Sequence, residues 1–206
     1  MLNMVLISTI CMLFFVPNAV AAPLDDPCLK CHAALSKGKT VHAALSLGCD
    51  SCHAALLAAE VPHRTPKGVA KGLFATEPKL CYRCHDKSPF EKKVVHPALG
   101  MGCTVCHNPH ASDAASLLSA PVGKLCVTCH ENQASGKHVL TSISPGDNHP
   151  LRGKLDPSNA KRELSCISCH NPHSSAQRRL FVTNTAGPAG LCPLCHQKIS
   201  VNPDKL

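Results

Sequence analysis

An apolar run occupies residues 4–16, too short to cross a bilayer, which takes about 20 residues. Ala19-Val20-Ala21 follows, the small-x-small pattern that signal peptidase reads. Residues 1–21 are therefore expected to form a secretory signal and 22–206 the secreted domain, although no Lys or Arg precedes the apolar run. Beyond Ala21 the ordinary material of a hydrophobic core is scarce. That region has no Trp, a single Tyr at Tyr82, and Phe only at Phe74, Phe90 and Phe181. Seventeen Pro and twelve Gly are spread along the chain and work against long helices and inner strands. Residues 54–60 read as two helical turns. The pattern predicts a mostly irregular, low-secondary-structure fold with short α-helices, whose core the polypeptide does not itself supply.

Cysteine changes the picture. There are fifteen in 206 residues. Cys11 lies within the apolar run, and the other fourteen form seven Cys-x-x-Cys pairs, each followed at once by histidine. The motifs are Cys28, Cys31 and His32; Cys49, Cys52 and His53; Cys81, Cys84 and His85; Cys103, Cys106 and His107; Cys126, Cys129 and His130; Cys166, Cys169 and His170; and Cys192, Cys195 and His196. Two thiols three positions apart can add to the two vinyl groups on one edge of a haem, and the next residue then lies under the ring with its imidazole toward iron. This is the haem c attachment signature. Zinc knuckles also use Cys-x-x-Cys but have no need of histidine at the fifth position every time, and disulfide or thioredoxin-like pairs fail for the same reason. Seven covalently bound haem c groups are expected, and with them a haem core in place of a side-chain core.

Seven of the fourteen histidines belong to the motifs, leaving His42, His63, His96, His110, His138, His149 and His173. Met101 is the sole methionine beyond Ala21, and it lies too close to Cys103 to reach over that haem. The matching counts favour bis-histidine ligation throughout. An iron so ligated has no open site for a small substrate and a lower potential than one with methionine. No Cys-x-x-Cys-Lys motif is present.

The motifs fall into a repeat: CXXCH, an isolated His, a second CXXCH, then Pro-His. The units span about residues 28–63, 81–110 and 126–173, with a seventh haem site at 192–196. His42 and His96 each stand seven positions before a cysteine. The third unit keeps His149-Pro150 but inserts about ten residues near 155–164. His138 and the site at 192–196 are left over, and by count alone they pair. His110 lies three residues beyond His107 and cannot reach the opposite face of the same ring, so it should serve a neighbouring haem, as should His173. Proline turns the chain away at that step.

The sequence resembles the multihaem cytochromes with doubled CXXCH motifs, a group related to the cytochrome c3-like class. Cys-x-x-Cys-His-Asn-Pro-His at 103–110 and 166–173 is the most specific mark. The resemblance implies little regular secondary structure, closely spaced bis-histidine haems, and electron carriage in periplasmic respiration or toward extracellular acceptors. It makes His42, His63, His96, His110, His149 and His173 distal ligands. It implies redox partners such as a quinol dehydrogenase, a terminal reductase or an outer-membrane conduit, with no stable membrane span after signal cleavage. The odd seventh haem and the stretched third unit depart from a clean doubled pattern.

The formal charge of +8 does not indicate nucleic-acid binding. Lys and Arg are dispersed and aromatics for base stacking are few, while haem propionates would offset most of the positive charge. A globule of about 185 residues has a radius of gyration of roughly 16 Å, which would put seven haem centres about 17 Å apart on average. Such density suits a periplasmic or extracellular electron carrier rather than an enzyme. Two other readings stay open: a subunit of an extracellular cytochrome filament or other homo-oligomer, and a multihaem reductase with one open iron.

Overall fold

The computed structural model describes residues 26–53, 56, 60–65, 70–134, 149, 153–183 and 190–196. The expected signal at 1–21, Cys11 and His138 lie outside the described residues, as does most of the 54–60 stretch read as helical. Regular elements are few and short, as the scattered prolines and glycines predict. Helix α1 spans Leu29–His32 and α2 spans Val122–Val127. The strands are β1 Thr40–Val41, β2 Val94–Val95, β3 Ala111–Ser112, β4 Leu155–Asp156, β5 Asn159–Glu163 and β6 Ser174–Ser175. Most of the remaining order is single 3₁₀ turns.

Two of the three antiparallel ladders join different repeat units. Strand β1 of the first unit pairs with β3 of the second through Thr40–Ser112 and Val41–Ala111. Strand β2 of the second pairs with β6 of the third through Val94–Ser175 and Val95–Ser174. Each ladder is extended by one bond at the next residue. The His42 amide donates to the His110 carbonyl at 2.8 Å, and the His96 amide to the His173 carbonyl at 2.9 Å. Each isolated histidine of one unit is thereby set beside the Pro-His step of the next. The third ladder, β4 with β5, is a hairpin within the third unit, so the inserted residues near 155–164 fold as a local excursion and leave the repeat intact.

The first junction depends on a close approach. A Cβ on Gly38 would lie 2.8 Å from the Ser112 nitrogen and 2.9 Å from its oxygen, so only glycine lets β1 meet β3. At the second junction the Ser174 hydroxyl donates to the Pro89 carbonyl at 2.8 Å and accepts from the Lys92 amide at 3.1 Å.

Among the described residues the only buried hydrophobic side chains are Ala111 and Leu164, whereas Leu47, Phe74, Met101 and Leu155 are all more than half exposed. A chain of this length ordinarily buries well over half of its unfolded surface. The protein's own side chains do not make a core, and the apolar groups stand ready to cover something else.

Gly38→Ala is expected to push β1 off β3 and to lower stability by about 1–3 kcal/mol through overpacking. Thermal melting of the holoprotein, with hydrogen exchange at the His42 amide, checks this.

Candidate haem-binding site

All seven motifs adopt one local geometry. The first cysteine's carbonyl accepts the amide of the second cysteine, and also that of the histidine, at 2.8–3.0 Å in the latter case. In the first motif these bonds are Cys31 to Cys28 at 3.2 Å and His32 to Cys28 at 2.9 Å; in the last they are Cys195 to Cys192 at 3.1 Å and His196 to Cys192 at 2.8 Å. One helical turn places positions i, i+3 and i+4 on the same face. Both thiols and the imidazole therefore address one object from one side.

The non-motif histidines approach these turns from across the chain. Ring centres are 5.9 Å apart for His32 and His63, 6.0 Å for His42 and His85, and 6.2 Å for His53 and His110. They are 6.1 Å apart for His96 and His130, 5.9 Å for His107 and His173, and 6.3 Å for His149 and His196. Every pair joins one motif histidine to one other histidine. An imidazole nitrogen lies about 1.1 Å from its ring centre and bonds a metal at about 2 Å, so two rings on opposite sides of one ion have centres about 6 Å apart. The six distances cluster at that value although the interplanar angles run from 8° to 83°. Unbridged aromatic pairs spread over centroid distances of roughly 4.5–7 Å, so a cluster this narrow points to a shared bridging ion. The residues fit a planar, iron-centred group held between two imidazoles.

The comparisons with known proteins agree. The doubled CXXCH motif family matches residues 42–90, 96–135 and 158–201, well over half of the chain. The chain belongs to the doubled CXXCH family. It is also similar to the multiheme cytochrome MtrA of Shewanella baltica (strain OS185), with 36% identity over 67 residues, which is 30% of this chain and 20% of that protein. It thus spans a minor part of that relative's length. This doubled CXXCH protein is a multihaem c-type cytochrome, and its paired motifs carry covalently bound haem c.

The pairs follow a rule that the sequence did not show. The isolated histidine of one unit meets the first motif of the next: His42 with His85, His96 with His130, and His149 with His196. The Pro-His of one unit meets the second motif of the unit before: His110 with His53, and His173 with His107. The Pro-His of the first unit departs from the rule: His63 lies beside His32 of its own unit. His138, assigned by count to the site at 192–196, lies outside the described residues; the histidine beside His196 there is His149.

Within each unit the first thiols of the two motifs lie beside one another: Cys28 and Cys49, Cys81 and Cys103, and Cys126 and Cys166. Burial, then the Asp26 carboxyl, pushes the Cys49 thiol up to about 12. Burial, then Cys103, does the same for Cys81. Both present S–H rather than thiolate before haem attachment. Asp26, Cys28 and Cys49 put one ligand atom each within 4.8 Å of one another, and both thiols belong to CXXCH motifs. Burial, and then nearby His53, His42 and Lys71, lower the His110 imidazole from its ordinary value, and burial followed by His107 and His96 lowers that of His173. Both stay neutral, the form that binds metal.

A carboxylate braces the second motif of each unit, and sequence reasoning missed all three. Asp26 accepts the Cys28 and Cys49 amides, each at 2.9 Å. Glu77 accepts the Thr104 amide at 2.9 Å and its hydroxyl at 2.6 Å. Asp156, fully buried on the hairpin, accepts the Ser168 hydroxyl at 2.7 Å and pairs with Arg162 at 2.8 Å. Their distances along the chain from the second motif differ, so no common spacing marked them. Aromatics serve the histidines too: Phe90 lies 4.7 Å from the His173 ring centre and Phe181 lies 5.1 Å from that of His170.

Burial alone would raise the Asp156 carboxyl, but hydrogen bonds from Ser158, Ser168 and Arg162 outweigh it and hold the group well below the usual carboxylate range. Its folded value is depressed, so its stabilisation is complete above the unfolded value of about 4 and is lost as pH falls toward the folded one. Asp156→Asn is expected to cost about 2 kcal/mol at neutral pH and to flatten the acid side of the melting temperature plotted against pH.

Proposed function

We propose that the chain carries seven haem c groups, one on each CXXCH motif, and conducts electrons along them outside the cytoplasm. The observation that carries this reading is the set of six histidine pairs, all with ring centres 5.9–6.3 Å apart. His32, His53, His85, His107, His130 and His196 would be proximal ligands, and His63, His110, His42, His173, His96 and His149 their distal partners. His138, the remaining non-motif histidine, would serve the haem of His170. Each haem supplies a one-electron couple that needs no open coordination site. The protein's residues hold these groups at fixed spacing and tie each unit to its neighbours, so that current passes without movement of the chain.

The apolar run and Ala19-Val20-Ala21 support export with cleavage after Ala21, leaving residues 22–206 as one heptahaem domain. Similarity to a multiheme cytochrome supports redox proteins as partners, and the apolar run supports a periplasmic or cell-surface setting, consistent with anaerobic or metal respiration. A reductase would need an iron with one axial site open. Pairing of six motif histidines with a second histidine favours a carrier.

Intact mass of the secreted protein is expected to equal residues 22–206 plus seven haems. The oxidised protein should be entirely low-spin, and the reduced protein should not bind carbon monoxide. A missing haem or a high-spin iron would remove the seven-site, closed-iron reading. In His110→Ala, one iron in seven is expected to turn high-spin, and peptide mapping should assign it to Cys49 and Cys52. Assignment to Cys103 and Cys106 would contradict ligation across units.

A further inference from the structure

In each repeat unit, a loop beyond the second motif returns to it in the same way. The ring of His53 donates its Nδ1–H to the Lys71 carbonyl at 2.8 Å, that of His107 to Ser116 at 2.9 Å, and that of His170 to Arg179 at 2.7 Å. A carbonyl only accepts, so these contacts fix the tautomer and leave Nε2 for iron. The next residue in the loop grips the backbone beside the histidine: Asn108 donates its amide to Leu117, and Asn171 to Leu180, each at 2.7 Å. Acceptor and successor are both in the left-handed region, as Lys71-Gly72, Ser116-Leu117 and Arg179-Leu180.

That conformation is uncommon for residues other than glycine and is ordinarily filled by Gly or Asn in a turn. Among the described residues, five non-glycine residues have positive φ: Lys71, Ser116, Leu117, Arg179 and Leu180. All five belong to these three pairs. Strained backbone held at a recurring place, each time aiming a carbonyl at a motif histidine, marks a positioning device. The first motifs of the units differ. His32, His85 and His130 are exposed, and no carbonyl of the described residues meets their Nδ1, whereas His53, His107 and His170 are half-buried.

We propose that the left-handed pairs at 71–72, 116–117 and 179–180 are positioning residues that lock the proximal imidazole of each unit's second motif, so that carbonyl-locked and solvent-facing motif histidines alternate along the chain. This rests on the haem-ligation reading above. A fixed acceptor on Nδ1–H holds the ring's orientation and makes Nε2 a stronger donor, which favours ferric over ferrous iron and lowers the potential. In the three locked sites, the carbonyl rather than solvent sets that strength.

The test compares Ser116→Val with Ser116→Gly in the full haem-loaded protein. Valine resists the left-handed region and glycine enters it freely. Two readouts are taken: exchange protection of the His107 ring N–H in the reduced, ¹⁵N-histidine-labelled protein, and spectroelectrochemical titration. Ser116→Val is expected to abolish the protected ring N–H and to shift one couple upward by about tenfold in its ferric-to-ferrous ratio, about 59 mV for one electron. Ser116→Gly should match the wild type in both. Retained protection and unchanged potentials in Ser116→Val, or equal shifts in both variants, would overturn the lock while ligation stands. Wild-type protein without haem on Cys103 and Cys106 would overturn the ligation reading and the lock together. Lys71→Val, read at His53, repeats the test in a second unit should Ser116→Val fail to assemble.

Discussion

Everything in this structure depends on imidazoles from one repeat unit facing motif histidines of another across about 6 Å. The described polypeptide buries two hydrophobic side chains, and its strands between units are two residues long. Ladders this short are marginal by themselves. Two axial bonds from different units to one iron would supply the cross-link that side-chain packing does not, and the thioether bonds would make it permanent. Folding and cofactor binding are then one process, as in small metal-dependent domains.

The offset between units gives the chain an open-ended logic. Each unit lends its isolated histidine forward and its Pro-His backward, so an interior unit is complete only with neighbours on both sides. This is the nearest-neighbour construction of repeat proteins, in which terminal units must differ. The first unit departs from this pattern: its His63 lies beside His32 of the same unit.

Two polar groups that would be a liability in a hydrophobic core are put to use here. Asp156 and Ser174 are completely buried, and each is hydrogen-bonded to the segments it joins. Asp26 and Glu77 brace other second motifs from sites with more exposure. These contacts hold motif turns in place, which suits a protein whose redox centres must keep fixed spacing.

The attachment chemistry was legible in the sequence because it is local: two thiols and an imidazole on one helical turn need only the spacing i, i+3, i+4. The repeat, the scarcity of core side chains and the irregular fold were legible for the same reason, being matters of spacing and composition. The sequence could also exclude His110 from serving the haem beside it, since three residues do not reach around a porphyrin. Which unit receives it was decided by the tertiary structure, through β1 with β3 and β2 with β6. Counting assigned His138 to the last site, where the fold brings His149. The backbone carbonyls at Lys71, Ser116 and Arg179 carry no side-chain signature at all. A carbonyl is common to every residue, and only the folded backbone turns it toward an imidazole.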